Sequence, residues 1–222
     1  MAIAKSDRPL AVIVFARRPR AGQVKRRLAR TLGAKRAARV YARLLDATLQ
    51  EIEGIVGLRR ILMIASSRDM SWFRQVYGRR GWLVGVQASG DRGQRMAAAL
   101  NNQLVAGYRA VLVGSDIVGI TQSDIHAAER VLKQHHDVVI GPAADGGYWL
   151  IGLNRTQDSL FEGIRCGSSS VLAQTRVAAD ESCLSAATIG LRHDVDRRRD
   201  LARVVRRRSQ RRRARARSSR AT

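Results

Sequence analysis

The chain has 222 residues, 45% of them hydrophobic, and carries 41 Lys and Arg against 18 Asp and Glu, a formal net charge of +23. This length and apolar content suit one globular α/β domain with a sizeable core. The apolar runs are far shorter than the ~18 residues that a membrane span needs, and the run over residues 10–16 lacks the cleavage site of a signal peptide. Cys166 and Cys183 fit no metal or redox spacing, which favours a reduced, cytoplasmic setting.

Apolar runs alternate with helical patterns along the chain. Strands are predicted over residues 10–16, 58–66, 82–87, 110–116 and 137–141. Helices are predicted over residues 25–32, 34–54, 92–107 and 121–134. The last helix opens on Thr121 as N-cap, with Asp124 three positions on in a capping-box arrangement. Repeated strand–helix units predict a mostly parallel sheet with helices on both faces.

Much of the positive charge lies at the C-terminus. The segment from Arg197 onward holds 13 Arg and one Asp, which is +12 of the total, and leaves +11 for the rest. We expect a folded domain over residues 1–201 and an Arg-rich tail over 202–222, a short helix fading into a disordered arm. The tail is either a solubilising extension or a nonspecific contact for a polyanion such as RNA, DNA or anionic lipid.

The loop after the first predicted strand is basic. Ligands of open α/β sheets bind beyond the carboxyl ends of the strands. In residues 17–25, Gly22 permits close backbone approach, and Arg17 and Lys25 supply charge together with Arg26 and Arg27. These donors suit a phosphate-bearing ligand at the start of a helix, although the Walker A spacing is absent. The alternative is a solvated basic turn.

Acidic residues follow two other segments. Asp116 ends the fourth predicted strand, where a carboxylate suits Mg²⁺. The alternative is an Asx turn or N-cap, but Thr121 already serves as a cap. Asp194 and Asp196 alternate along a short extended segment, so both point to one side and one of them could complete the metal site. The alternative for Asp196 is an N-cap.

Two glycine-rich stretches lie at or after the carboxyl ends of the third and fifth predicted strands. Gly90 and Gly93 bracket a helix start that carries Asp91 and Arg95, and the alternative there is an ordinary loop with Asp91 as N-cap. The stretch VVIGPAADGGYWLIGL, residues 138–153, has Asp-Gly between apolar runs, which predicts a β-hairpin. It is also typical of an acidic active-site loop, and the two interpretations are compatible.

Five motifs stand in order between residues 11 and 201: FARRPRAGQVKRRL, GDRGQRM, GSDIVGIT, GPAADGGYWLIGL and DVDRRRDL. Together they resemble the GT-A-like nucleotide-diphospho-sugar transferase family labelled arsenosugar biosynthesis glycosyltransferase, also called radical-SAM/selenodomain-associated transferase. The chain departs from that pattern at Arg26, where the family has Thr, and at Val118, where it has Pro. It also has Cys166-Gly167 in place of Trp-Ser.

The resemblance implies a GT-A-type, Rossmann-like fold and a transferase that uses a nucleotide-activated donor with Mg²⁺ or Mn²⁺. By resemblance, Asp116 is the principal metal ligand and Asp194 or Asp196 is its partner, while Asp145 orients or deprotonates an acceptor hydroxyl. The expected nucleotide- and phosphate-binding residues are Arg17, Gly22, Lys25, Arg27, Asp91 and Arg95. The expected residues on the acceptor or sugar side are Gly146, Gly147 and Tyr148.

Three functions remain open. The first is metal-dependent glycosyl transfer from a nucleotide-diphospho-sugar to a small-molecule acceptor. The second is nucleotidyl transfer, in which an NTP and a phosphorylated small acid give a nucleotide-capped product and pyrophosphate, with the same metal and basic loop. The third is a catalytically lapsed basic protein that binds nucleic acid through its tail, an interpretation motivated by the motif departures and by the +12 segment.

Overall fold

The computed structural model describes residues 8–195 and Asp200. Within them, the strands are β1 Leu10–Ala16, β2 Arg59–Ile64, β3 Leu83–Val86, β4 Arg109–Gly114, β5 Val138–Pro142, β6 Tyr148–Leu153 and β7 Ala186–Thr188. The α-helices are α1 Arg26–Leu32, α2 Ala34–Glu53, α3 Met70–Tyr77, α4 Arg92–Val105, α5 Gln122–Lys133 and α6 Val171–Glu181. The predicted tail and Asp196 lie outside the described residues.

One mixed sheet has the strand order β3-β2-β1-β4-β6-β5-β7. β1 pairs in parallel with β2 and with β4, and β2 pairs in parallel with β3. β5 pairs in parallel with β7, and β6 runs antiparallel to both of its neighbours, β4 and β5. β1 is buried along nearly its whole length. Its sequence, LAVIVFA, is apolar at every position, as a strand covered on both faces requires. The predicted α/β fold with a mostly parallel sheet is confirmed.

Helices cover both faces of the sheet. Side chains alternate along β1, so Val12 and Val14 enter one core layer while Ala11 and Ile13 enter the other. Apolar side chains of α2, α3 and α5 complete the first layer, and those of α4 and α6 complete the second. Among the described residues, none of the helices combines the length and the apolarity that a membrane crossing requires.

The four predicted helices are confirmed, each within two residues at either end. The predicted capping box of α5 is also confirmed, because one carboxylate oxygen of Asp124 accepts hydrogen bonds from the backbone N–H of Thr121 at 2.8 Å and from its hydroxyl at 2.9 Å. The helices α3 and α6 and the short strand β7 are not predicted from the sequence.

The fourth and fifth strands are not direct neighbours in the sheet. The antiparallel strand β6 lies between β4 and β5 and pairs with both. Its sequence, YWLIGL, is buried from Trp149 to Leu153. A strand without polar positions is suited to a central place in the sheet, since both of its faces are then covered.

The strands β1 to β5 share one direction, so their carboxyl ends lie at one edge of the sheet. β6 begins at this edge because it forms a hairpin with β5. This carboxyl edge therefore gathers the loop 17–25 after β1, Ser115 and Asp116 after β4, and the turn 143–147 between β5 and β6.

Candidate functional site at the carboxyl edge

An ion pair joins the basic loop to the end of β4. The ammonium nitrogen of Lys25 lies 2.8 Å from Oδ2 of Asp116. The Lys25 side chain is only 3% exposed, whereas that of Asp116 is 41% exposed. Lys25 was predicted to face donor phosphates, and that role stays a prediction; the structure pairs its ammonium group with the predicted metal ligand. Lys25 also holds a left-handed backbone, with φ at 48°, as the N-cap of α1, a conformation that costs a non-glycine residue about 1 kcal/mol or more.

A buried tyrosine fixes the backbone on either side of this pair. The Tyr41 hydroxyl lies 3.0 Å from Oγ of Ser115 and accepts a hydrogen bond of 2.9 Å from the backbone N–H of Arg17. Burial raises the pKa of Tyr41, so the phenol stays neutral. It therefore ties the start of the basic loop to the residue before Asp116. The sequence indicates Tyr41 only as one apolar position of α2.

A return segment, residues 190–195, closes the carboxyl edge. The backbone N–H of Arg192 donates to the carbonyl of Pro142 at 3.0 Å, and the N–H of Ala144 donates to the carbonyl of Arg192 at 3.0 Å. Further along, Asp194 pairs with Ile117 in an antiparallel bridge. The segment thus runs between the hairpin turn and the exit of β4, and it brings Asp194 beside the neighbour of Asp116.

The return segment is anchored at its far end by packing. Val195 is fully buried and clusters with Leu28 of α1 and with Val118. Val118 stands where the resembled family has proline, and the backbone N–H of Val118 donates to the carbonyl of His193 at 3.0 Å. Because proline has no N–H, this departure adds a hydrogen bond that holds the segment in place.

Two residues predicted as metal ligands, Asp116 and Asp194, lie at this edge. Among the described residues, no group of three or more His, Cys, Asp or Glu could hold a metal ion. Asp116 and Asp194 fit Mg²⁺ or Mn²⁺ nonetheless, because such ions take oxygen ligands and are commonly held by one or two carboxylates plus water and substrate phosphates. The exposed carboxylate of Asp116 leaves room for those further ligands.

The predicted hairpin is confirmed, and its turn lies at the carboxyl edge. The carbonyl of Gly147 accepts from the N–H of Ala143 at 2.9 Å, which closes the turn. Within the turn, Oδ1 of Asp145 accepts from the N–H of Gly147 at 3.0 Å. Asp145 is exposed, so its second carboxylate oxygen is accessible from the edge. The predicted acidic loop is thus the turn of this hairpin, and its role in an active site stays a prediction.

Gly146 and Tyr148, both predicted for the acceptor side, contact other parts of the chain. Gly146 has a positive φ of 88°, and a Cβ there would collide with the backbone carbonyl of Ser169. Its own carbonyl accepts from the N–H of Leu172 at 2.9 Å. The hydroxyl of Tyr148 lies near the sulfur of Met96, in the layer of α4, and burial raises the pKa of Tyr148. The backbone of Ser169 therefore occupies the space where a Gly146 side chain would lie, and the acceptor-side role of Gly146 and Tyr148 stays a prediction.

Replacing Gly146 by alanine is expected to lower the free energy of unfolding by about 3 kcal/mol, from backbone strain and the clash with Ser169 together. Gly163 offers a matched control, because its φ is also positive, at 69°, but nothing lies within 4 Å of a Cβ built there. Gly163→Ala should cost about 1 kcal/mol. Urea denaturation of both variants gives the comparison, and equal losses would show that the contact with Ser169 is loose.

Asp91 and Arg95 form local contacts at the start of α4. Asp91 is the N-cap, and its carboxylate accepts from the N–H of Gln94 at 2.9 Å in a capping box. The guanidinium of Arg95 donates to the carbonyl of Asp91 at 3.0 Å and to Oε1 of Gln87 at 3.3 Å. The ordinary-loop alternative thus describes their geometry, and their role towards a nucleotide stays a prediction. Cys166 lies near this helix start, and burial raises its pKa.

The basic loop itself is anchored by a buried carboxylate. Asp69 is 8% exposed and binds the guanidinium groups of Arg18 at 3.6 Å and Arg20 at 3.0 Å. Arg18 also stacks over the ring of Trp72. Two of the loop's cations are therefore engaged with the fold. Arg17 at the start of the loop and Arg27 in the first turn of α1, both predicted for phosphate binding, are exposed.

Comparisons with known proteins agree with this architecture. A family described as an uncharacterized protein conserved in bacteria (DUF2064) matches residues 48–168, more than half of the chain. The crystal structure of a "putative nucleotide-diphospho-sugar transferase" from Desulfovibrio desulfuricans G20 is similar at a TM-score of 0.78 and 29% identity, over 88% of this chain and 84% of that one. No curated protein matches the chain.

More distant structures share the fold. The 4-diphosphocytidyl-2C-methyl-D-erythritol synthase of Anaerococcus prevotii DSM 20548 has a TM-score of 0.58 and 12% identity, over 91% of this chain and 97% of that one. Rv0371c of Mycobacterium tuberculosis H37Rv has a TM-score of 0.52 and 17% identity, over 89% and 97%. The comparisons confirm the predicted resemblance, the fold class and the enzyme class, a transferase. The chain belongs to the DUF2064 family of bacterial proteins.

Proposed function

We propose that the chain is a divalent-metal-dependent transferase that moves a glycosyl group from a nucleotide-diphospho-sugar to a small-molecule acceptor. The observation that carries the proposal is the exposed carboxylate of Asp116 at the end of β4, paired from below with Lys25 and flanked by the return segment that bears Asp194. The 29% identity to a structure described as a nucleotide-diphospho-sugar transferase supports the choice of donor.

Each residue has a separable role in this proposal. Asp116 and Asp194 hold the Mg²⁺ or Mn²⁺, which when bound would neutralise charge on the diphosphate. Lys25 binds Oδ2 of Asp116 and so orients the carboxylate that would hold the metal. Arg17 and Arg27, exposed around the loop, bind the donor phosphates.

The transfer step places Asp145 beside the acceptor. The acceptor oxygen forms a bond to the anomeric carbon of the sugar while the bond from that carbon to the diphosphate oxygen breaks, and the electron pair leaves with the nucleoside diphosphate. The proton of the acceptor hydroxyl passes to Asp145. Because Gly147 already binds Oδ1, Oδ2 is the oxygen that takes the proton.

Isothermal titration of the full chain with UDP-glucose and GDP-mannose, with and without Mn²⁺, tests the proposal. We expect binding of at least one nucleotide sugar that depends on Mn²⁺. Absence of metal-dependent binding to either would contradict the proposed donor class. Incubating the chain with each common NTP and a phosphorylated acid tests the alternative, since pyrophosphate release there, without binding of nucleotide sugars, would establish nucleotidyl transfer.

Replacing Asp145 by asparagine is expected to lower turnover at least 100-fold, because the amide retains the turn hydrogen bond to Gly147 but accepts no proton. The free energy of unfolding should change by less than about 0.5 kcal/mol. Asp180→Asn, at another exposed carboxylate, is the control and should leave turnover unchanged. A fully active Asp145→Asn variant would remove Asp145 from the catalytic role.

A further inference from the structure

The positive charge of the folded chain is concentrated in one loop–helix–helix segment. Residues 17–43 contain eleven Lys and Arg and no Asp or Glu. The remaining chain before Arg197 holds 17 basic and 17 acidic residues, so its net charge is zero. Without the C-terminal segment the net charge is +11, and all of it therefore lies in residues 17–43.

One face of α2 presents part of this charge to solvent. Lys35, Arg36, Arg39 and Arg43 are all exposed. The three arginines have the spacing i, i+3, i+7, which places them on one side of the helix over about 10 Å of its length. The next acidic residue along α2 is Asp46, which is already engaged by Arg80 and by the hydroxyl of Tyr77. We call these four residues the α2 basic face.

A shallow groove runs beside the α2 basic face. Its volume is about 510 Å³. The lining residues are Pro19 and Ala21 of the basic loop and Lys35, Ala38, Arg39 and Ala42 of α2. Small side chains form its floor and two cations stand along it. The two cations would complement the charge of a phosphate backbone that lies along the groove.

The chemistry of this face favours nucleic acid over a membrane. The apolar residues of the groove are Pro and Ala, whereas helices that lie on membranes insert large apolar side chains such as Trp, Phe or Leu. Arginine, which supplies three of the four cations, binds phosphate through paired N–H donors. With no aromatic side chain in the groove lining, bases have no stacking platform there, so the contact is to the phosphate backbone.

We propose that the α2 basic face and its groove form a binding site for the phosphate backbone of structured nucleic acid, without sequence preference. The site is formed by residues of the basic loop and α2, and none of them belongs to the Arg-rich C-terminal segment. It uses none of the residues assigned to the transferase site, so it stands or falls independently of the proposed function.

The test measures how tightly the full chain binds a short, fluorescently labelled RNA duplex of mixed sequence. Fluorescence anisotropy of the duplex gives the affinity at several salt concentrations. The variant carries Lys35→Gln, Arg36→Gln, Arg39→Gln and Arg43→Gln. Each released phosphate contact changes the slope of log K against log salt by about 0.9. With four contacts removed, we therefore expect the slope to fall by about 3.6 and the affinity at about 100 mM salt to fall at least 10-fold.

The matched control removes the same charge elsewhere, through Arg68→Gln, Arg74→Gln, Arg130→Gln and Arg176→Gln, all at exposed positions. Both variants keep the C-terminal arginines, so the tail contributes equally to both. Equal losses would overturn the proposal, since only net charge would then matter, and so would a wild-type chain that does not bind the duplex. If the α2 variant binds vesicles of phosphatidylserine and phosphatidylcholine more weakly but binds the duplex as the wild type does, the proposal is overturned in favour of lipid. Unchanged thermal midpoints and unchanged titration with nucleotide sugar and Mn²⁺ confirm that the fold and the transferase site are intact.

Discussion

Replacing Asp116 by asparagine is expected to weaken Mn²⁺-dependent binding of a nucleotide sugar at least 100-fold. The amide keeps the shape of the side chain but removes the charge that a divalent ion requires from its principal oxygen ligand. Isothermal titration with Mn²⁺ and the nucleotide sugar measures the loss. Binding equal to that of the wild-type chain would show that the metal, if used, lies elsewhere.

The same substitution has a structural effect that must be separated from the loss of metal. Lys25 is almost fully buried beside Asp116, so removing the carboxylate weakens the pairing of a buried ammonium. A hydrogen bond to a charged group contributes about 1.5–3 kcal/mol, and we expect a destabilisation in that range. The charge of Asp116 itself is well solvated and contributes less.

A double-mutant cycle with Lys25→Met separates the two effects. The methionine keeps the long apolar stem of the lysine and removes the buried charge. If the pair contributes only stability, the double variant recovers most of the free energy of unfolding and binds metal as the wild type does. We expect recovery of stability without recovery of metal binding, because the carboxylate is the ligand and the ammonium positions it.

The position of Asp116 could be predicted from the sequence because it depends on local signals. An apolar run followed by glycine, serine and aspartate marks a strand end, and parallel strands gather their ends at one edge. The hairpin turn at Asp145 follows in the same way from Asp-Gly between apolar runs. Both features are encoded within a dozen residues.

The partners of these residues could not be predicted, because they come from distant parts of the chain. Lys25 and Asp116 are separated by 91 positions, and a basic loop predicts phosphate contacts as readily as an ion pair. Likewise, no local pattern places the backbone of Ser169 against Gly146. The order of β4, β6 and β5 had one available signal, since the uninterrupted apolar sequence of β6 favours a central strand over an edge strand.

The return segment depends on Arg192, a side chain that no sequence motif indicates as functional. The guanidinium of Arg192 pairs with Oδ1 of Asp124, and both side chains are mostly buried, with exposures of 18% and 10%. Arg192 also lies 5.9 Å from the centre of the Trp149 ring, whose indole N–H donates to the carbonyl of Gly190 at 3.0 Å. These contacts fix the segment at one end, so that Asp194 is held beside the exit of β4.

Replacing Arg192 by methionine is therefore expected to lower the free energy of unfolding by about 3 kcal/mol, because it leaves the buried carboxylate of Asp124 without its cation. Arg155→Met is the matched control: its guanidinium lies 3.2 Å from Asp137, but Arg155 is 60% exposed, and such pairs contribute about 0–1 kcal/mol. Urea denaturation measures both losses.

The Arg192→Met variant should also bind Mn²⁺ and nucleotide sugar about 10-fold more weakly, as expected when the support of a metal ligand is loosened, whereas Arg155→Met should bind them normally. If stability falls but metal binding does not, Asp194 is not a metal ligand. Asp116 would then be the proposed ligand that remains among the described residues. A loss of both would show that the contact of Arg192 with Asp124 stabilises the fold and also positions the second carboxylate.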